Sequence, residues 1–207
     1  MIPDFKYIPY QRLNESTQLL SFDCGNDDLT DYYYNSAKKD IGKLLTVVYY
    51  LPSENKTVLF FTLSNDKISE IEIKDGEPVY SKSFFRRIKD KFGRAKHRRD
   101  YPAVKIGRFG VNKDFRGNGQ HWGSKTLDFI KEWMITDNKT GCCFITVDAY
   151  ATAVEFYLKN EFFFMGEKEK SGYEKWHKEN PNYKNKEITE DIPTFAMYFN
   201  LLSLIEN

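Results

Sequence analysis

Apolar positions along this chain change period several times, and each change marks an element. Leu44–Leu51 and Thr57–Leu63 are β-branched and aromatic and flank Pro52-Ser-Glu-Asn55, which predicts a β-hairpin. Upstream, Phe5–Leu13 reads as a strand, with a helical stretch near Glu15–Leu20 and a turn at Phe22-Asp-Cys-Gly-Asn26. Asn26 or Asp27 is suited to cap a helix running to about Lys39, with Asp27 and Asp28 at its positive end. Lys67–Val79 fits no single period. Phe84, Phe85, Ile88 and Phe92 recur at helical spacing. After Pro102, Val104–Val111 predicts a strand. Leu127, Ile130 and Met134 then mark one face of a helix that Asn138-Lys-Thr-Gly141 ends. Cys142–Ala149, Phe162–Met165 and Thr194–Leu201 read as strands, and Ala151–Lys159 as a short helix. Residues 167–192 hold 13 charged residues and Pro181, and read as a surface excursion that is partly helical.

Strand, helix, strand, helix and strand across residues 103–166, preceded by a hairpin, predict an α/β fold on a mixed sheet. The crossover between Val104–Val111 and Cys142–Ala149 should be right-handed. At 207 residues one domain is the default. No apolar run approaches the ~18 residues of a membrane span, and the N-terminal residues lack a signal-peptide layout. The three cysteines, Cys24, Cys142 and Cys143, have no framework spacing, so a reducing cytoplasm is the simplest expectation. Neither CxxC nor HExxH occurs and the histidines are scattered, so no metal site is expected.

Net charge is +1 but unevenly spread. Residues 82–99 hold nine Lys/Arg and one acid, while the rest of the chain is acidic on balance. The apolar spacing there predicts an amphipathic helix with a cationic outer face. Arg86, Arg87, Lys89, Arg94, Lys96, Arg98 and Arg99 suit an anionic partner, giving affinity with little sequence choice.

The richest chemistry lies between the strand ending at Val111 and the helix that follows. Arg116-Gly-Asn-Gly-Gln-His-Trp-Gly123 is a glycine-punctuated turn opening a helix, an arrangement that aims free backbone N–H groups at an anion. A P-loop does not fit, because Ser124 separates Gly123 from Lys125 and the glycine spacing is short. The dinucleotide fingerprint is one residue too short for Gly117-Asn-Gly119-Gln-His-Trp-Gly123.

The turn resembles motif A of the GNAT family of N-acetyltransferases. Downstream, Phe144-Ile-Thr-Val-Asp-Ala149 resembles that family's fifth strand, and Ala153-Val-Glu-Phe-Tyr157-Leu-Lys-Asn-Glu-Phe162 its A-x-x-F-Y-x-x-x-G-F ending. Phe22-Asp-Cys-Gly-Asn26, Phe61-Thr-Leu-Ser64 and Ile106-Gly-Arg-Phe-Gly-Val111 are similar to the branch containing acetyltransferase toxins of toxin–antitoxin pairs. The resemblance covers about residues 20–165 and the last strand. Three departures stand out: His121 where a small residue is usual, a turn two residues longer, and Glu161 in place of glycine.

The resemblance implies a GNAT-like acyl-CoA N-acyltransferase fold. Its central sheet is twisted, mostly antiparallel, splayed at strands 4 and 5 and flanked by helices. It also implies acetyl-CoA as co-substrate. The cofactor would meet Phe109, Gly110 and Val111 on the strand. On the turn and helix start it would meet Arg116, Gly117, Asn118, Gly119, Gln120, His121, Trp122, Gly123, Ser124 and Lys125. Tyr157 would protonate the departing thiolate; a phenol is protonated at neutral pH. Asp148, through water, is a candidate base. The acceptor is a primary amine: an aminoacyl-tRNA reached through residues 82–99, a protein or a small amine. A homodimer is compatible with all of these. The alternative is a catalytically silent acyl-CoA- or RNA-binding module that uses the basic segment.

Overall fold

A computed structural model describes residues 8–69, 71–74, 77–80, 100–138, 141–181, 183 and 192–205. The basic segment at 82–99 lies outside them. Seven strands hydrogen-bond in one mixed α/β sheet, in the order β1-β2-β3-β6-β7-β9-β8, and β4 and β5 form a separate ribbon. The strands are β1 (Gln11–Arg12), β2 (Val47–Ser53), β3 (Lys56–Ser69), β4 (Ile71–Lys74), β5 (Glu77–Tyr80), β6 (Asp100–Val111), β7 (Phe144–Tyr150), β8 (Phe163–Phe164) and β9 (Thr194–Asn200). The helices are α1 (Asp27–Asp31), α2 (Ala37–Gly42), α3 (Trp122–Thr136), α4 (Val154–Lys159) and α5 (Glu167–Glu179). Among the described residues no helix is long and apolar enough to cross a membrane, and no cluster of metal-ligating side chains is present. The contacts divide into two compact units, Met1–Ser64 with Lys105–Asp137, and Asn65–Val104 with Asn138–Asn207.

The first unit is organised around β3, whose residues are all buried from Thr57 to Leu63. A strand buried on both faces needs apolar cover on each. Phe60 meets Phe22, Tyr33 and Tyr32 on one face, with centroids 5.1, 5.3 and 6.3 Å away. Its neighbour Phe61 points the other way, to Tyr10 and Tyr49 at 5.6 and 5.4 Å. Helix α3 covers that second face: Trp133 meets Tyr49 at 5.1 Å and Phe129 meets Tyr10 at 4.5 Å. The expected stripe of Leu127, Ile130 and Met134 is buried.

Asn26 caps α1, accepting from Leu29 N–H at 2.8 Å. The helix does not run uniformly to Lys39. A π-helical turn, Tyr32–Ser36, joins α1 to α2. Within it Tyr33 Oη bonds Thr57 Oγ1 at 2.8 Å, and Tyr34 Oη accepts from Phe22 N–H at 2.7 Å. The helix expected near Glu15–Leu20 is absent. Asn14 Oδ1 instead accepts from Ser16 N–H, Ser16 Oγ and Thr17 Oγ1 at 2.8–3.0 Å, and such local side-chain bonds compete with a helical ladder. The strand expected over Phe5–Leu13 is reduced, among the described residues, to Gln11–Arg12. The β2–β3 hairpin forms as expected, but its turn tightens to Glu54-Asn55, and Pro52 sits at a register irregularity.

In the second unit β9 pairs antiparallel with β7 and with β8. Ile68, Tyr101, Ala103, Phe144 and Tyr198 form its core cluster. The ambiguous Lys67–Val79 region supplies the end of β3 and the β4–β5 ribbon. Part of the charged excursion proves to be a docked helix. Tyr173 of α5 is buried and meets Phe195 of β9 at 5.6 Å, while Gly172 lets the helix come close to that ring.

Candidate active site

Strand β6 ends at Val111, and the buried Asn112 that follows starts the turn. Its N–H donates to Val58 O at 2.8 Å, its Nδ2 donates to Thr57 O at 3.0 Å, and its Oδ1 accepts from Asp114 N–H at 3.1 Å. A single 3₁₀ turn, Lys113–Phe115, follows. Lys113 N–H donates to Asp23 O at 2.8 Å and its ammonium pairs with Asp23 Oδ2 at 2.5 Å. That ammonium, with the Gly25 N–H, holds the exposed Asp23 carboxyl below its usual range. Arg116 then turns its guanidinium inward. Nε donates to Val111 O at 3.0 Å and an Nη to Cys24 O at 2.7 Å. The Phe22–Asn26 turn is thus the buttress of the glycine-rich turn.

Beyond Arg116 the backbone enters the left-handed region three times, at Gly117 (φ 68°), Gly119 (φ 75°) and His121 (φ 51°). A Cβ added at either glycine would meet nothing within 4 Å, so glycine is required there by conformation and not by space. Asn118 Oδ1 accepts from Gln120 N–H at 3.0 Å. Among the amides from Gly117 to Ser124, only that of Gln120 meets an acceptor among the described residues. The turn is exposed, and α3 begins at Trp122 with no acidic residue in its first turn. Left-handed residues at every second position, with mostly unbonded amides at the positive end of a four-turn helix, make an arrangement that suits an anion. Lys125 Nζ lies 5.3 Å from the centre of the Trp122 ring. Thr126 secures the helix start from within, donating to Trp122 O at 2.7 Å and bonding Tyr10 Oη at 2.8 Å. Burial holds the Tyr10 phenol protonated to about 12.

Tyr157 belongs to the second unit. It is buried on α4, with its ring edge-on to Phe156 and Phe162 at 5.2 and 5.3 Å. No described residue hydrogen-bonds its hydroxyl, and burial pushes the phenol's pKa up. The helix ends in a Schellman motif: Phe162 N–H donates to Tyr157 O at 3.0 Å and Glu161 N–H to Leu158 O at 3.1 Å. Glu161 occupies the left-handed position at φ 64°, which explains why glycine would be usual there.

No family model and no curated protein matches this chain. Solved structures do. A crystal structure of a bacterial toxin superposes with a TM-score of 0.61 at 13% identity, over 96% of this chain and 94% of that one. AtaT complexed with acetyl-methionyl-tRNAfMet gives 0.59 at 16% identity, over 95% and 96%. AtaTR bound with AcCoA gives 0.58 at 16% identity, over 96% and 97%. This chain has the GNAT-like mixed α/β fold of those toxin structures.

Within that GNAT-like fold the sequence-derived residues fall in several places. Gly117, Asn118, Gly119, Gln120, His121, Trp122, Gly123, Ser124 and Lys125 form one continuous surface on the turn and first turn of α3. Arg116, exposed beside it, donates to two carbonyls. On β6, Phe109 and Val111 are half-buried, and the Val111 carbonyl already accepts from Arg116. The space beside Gly110 is filled by Phe22 and Phe60, whose nearest atoms would lie 3.0 and 3.2 Å from an added Cβ. The close approach it permits is therefore that of the core. Asp148 is exposed on β7, opposite Ala196. Arg86, Arg87, Lys89, Arg94, Lys96, Arg98 and Arg99 lie outside the described residues. Sequence reasoning missed Asn112, Asp23 and the Cys24 carbonyl as supports. Their one visible sign was the Phe22–Asn26 turn.

Proposed function

We propose that this protein is an acetyl-CoA-dependent N-acetyltransferase whose acceptor is the primary amine of an aminoacyl-tRNA. The observation that carries the reading is the row of amides from Gly117 to Ser124 at the N-terminus of α3, all but that of Gln120 without an acceptor among the described residues, which suits a pyrophosphate. AtaT, of the same fold, has been captured with acetyl-methionyl-tRNAfMet, which supports that acceptor class. The basic character of residues 82–99 supports it as well.

In this reading a neutral amine attacks the thioester carbonyl. A C–N bond forms, the C–S bond breaks, the nitrogen loses a proton to solvent, and coenzyme A leaves as a thiolate. Backbone N–H groups of β6 around Phe109–Val111 stabilise the charge growing on the carbonyl oxygen. Tyr157 supplies the proton to sulfur. Its raised pKa keeps it protonated, and its hydroxyl is committed to no described partner.

Calorimetry with acetyl-CoA should show binding that Gly119→Trp abolishes. Thiol release should then require an aminoacyl-tRNA, and mass spectrometry after brief expression should find N-acetylated aminoacyl-tRNA. Thiol release with small amines but not with aminoacyl-tRNA would remove the acceptor and keep the enzyme. Absence of any heat with acetyl-CoA would remove both. Binding without thiol release under any amine would instead favour a silent acyl-CoA-binding module. A toxin–antitoxin role predicts that expression arrests growth and that Tyr157→Phe relieves the arrest.

A further inference from the structure

Arg108 immediately precedes the part of β6 to which the thioester is assigned, and it belongs to no site described above. Its backbone N–H donates to Thr62 Oγ1 at 2.8 Å, which fixes the main chain just ahead of Phe109. Its guanidinium meets the start of the α1–α2 helical run. Nη1 pairs with Asp28 Oδ2 at 3.2 Å, and Cζ stands 5.2 Å from the centre of the Tyr32 ring. Tyr32 opens the π-helical turn, a local widening that recurs at functional sites. The ring is itself held, since it is buried and its hydroxyl faces the Asp40 carboxylate.

Two contacts orient this side chain without using all of its donors. A guanidinium presents several N–H groups in a rigid fork, and the contact with Asp28 is made at Nη1. No further acceptor for the guanidinium occurs among the described residues, and 36% of the side chain is exposed. An anchored fork with donors to spare and an open side can recognise an oxygen of a bound molecule. Asp28 offsets the charge of Arg108, and Asp40 adds a second carboxylate beyond Tyr32. A phosphate would meet both carboxylates at a cost. A carbonyl oxygen would not, and an amine next to that carbonyl would sit among acids.

We propose that Arg108, oriented by Asp28 and Tyr32, donates to the carbonyl oxygen that neighbours the acceptor amine. The enzyme thereby selects α-amino esters and amides, the chemistry of an aminoacyl end, over plain alkylamines. This selection rests on the acetyltransferase reading and extends it from the amine to the group beside it. Arg108 touches the acceptor, and Asp28 is a positioning residue.

Leucinamide and isopentylamine, which differ only in the carboxamide, test this with the full chain and acetyl-CoA. They are compared per neutral amine, as acceptors or, where turnover is too slow, as competitors of an aminoacyl-tRNA. Wild type should prefer leucinamide by about 10- to 100-fold, as expected for one hydrogen bond from a charged donor. Arg108→Met should abolish the preference and raise KM for aminoacyl-tRNA by a similar factor, with acetyl-CoA affinity and melting temperature nearly unchanged. Arg108→Lys should not restore it, because an ammonium lacks the planar fork. Asp28→Asn should lower the preference in part, through KM and not kcat. If Arg108→Met does not fold, Arg108→Lys and Asp28→Asn carry the same comparison. Three results would each overturn the proposal and leave the acetyltransferase reading in place: equal use of the two amines by wild type, a preference that survives replacement of Arg108, or a loss that falls on acetyl-CoA binding instead. Absence of thiol release from wild type under any amine, aminoacyl-tRNA included, would overturn both.

Discussion

Helix α3 begins and helix α4 ends at a residue in the left-handed region, and the two ends treat their backbone groups in opposite ways. At His121 the left-handed turn leaves the amides of His121, Trp122, Gly123 and Ser124 without acceptors among the described residues. At Glu161 the same conformation lets two amides close onto Leu158 and Tyr157 carbonyls. The first end is exposed and polar, and the second closes an aromatic cage around Tyr157. A site for an anion is made by leaving donors unsatisfied. In the proposed reading, a site for a neutral proton donor is made by satisfying the backbone around a phenol and desolvating it.

The largest effect expected from breaking this contrast is at the phenol. Tyr157→Phe should lower kcat by roughly 10²–10⁴-fold, with acetyl-CoA affinity and melting temperature nearly unchanged, because only the unpartnered hydroxyl is removed. Comparable losses in affinity and stability would make Tyr157 a core residue and no more.

Next comes the buttress. Arg116→Ala removes two charge-assisted bonds, to Val111 and Cys24 carbonyls, and should cost about 1.5–3 kcal/mol of stability by urea unfolding. Acetyl-CoA binding should weaken with it, through loss of loop order. Arg116→Lys should rescue neither, since one ammonium cannot span both carbonyls. Weakened binding at unchanged stability would give Arg116 a direct role at the cofactor.

Alkaline pH probes the buried phenols. Tyr10 is held protonated to about 12, and burial also raises Tyr157, Tyr32 and Tyr33. Unfolded phenols ionise near ~10, so their contribution is full below that pH and is lost as pH climbs through the folded values. Urea midpoints should be level from pH ~7 to ~9 and fall by ~11. A level midpoint across that whole window would contradict the burial of these rings.

The smallest effect sharpens the comparison at its other end. His121→Gly relieves a left-handed non-glycine residue and should stabilise the fold by about 0.5–1 kcal/mol, measured by thermal or urea unfolding. The free amides should keep their affinity for acetyl-CoA. A loss of affinity would mean that the imidazole itself touches the cofactor.

Much of the first end was legible in the chain. Gly117 and Gly119 mark left-handed positions, Leu127, Ile130 and Met134 give the helix behind them, and Asn26 was a correct cap. Three features were harder to read. The helix starts at Trp122, five residues before Leu127 opens the periodic apolar stripe, because His121 adopts a conformation its side chain disfavours. Asn14, Ser16 and Thr17 defeat a helical pattern through side-chain bonds that periodicity does not count. Tyr173 turns a stretch with a composition typical of solvent into a docked helix, since one buried aromatic ring outweighs many exposed charges.

By itself, the sequence determined much of what depends on neighbours within a turn or two: where most strands and helices run, where glycine must bend the backbone, and that a glycine-punctuated turn opening a helix follows β6. Tertiary structure alone decided the use of groups brought together from distant parts of the chain. Arg116 was read as a charge for the cofactor, yet its guanidinium bonds Cys24 O from 92 residues away. Gly110 was read as room for the cofactor, yet Phe22 and Phe60 occupy that room. Backbone conformation is set by local sterics and is therefore written locally. Which donor meets which acceptor, and which ring fills which gap, is set only when the core closes.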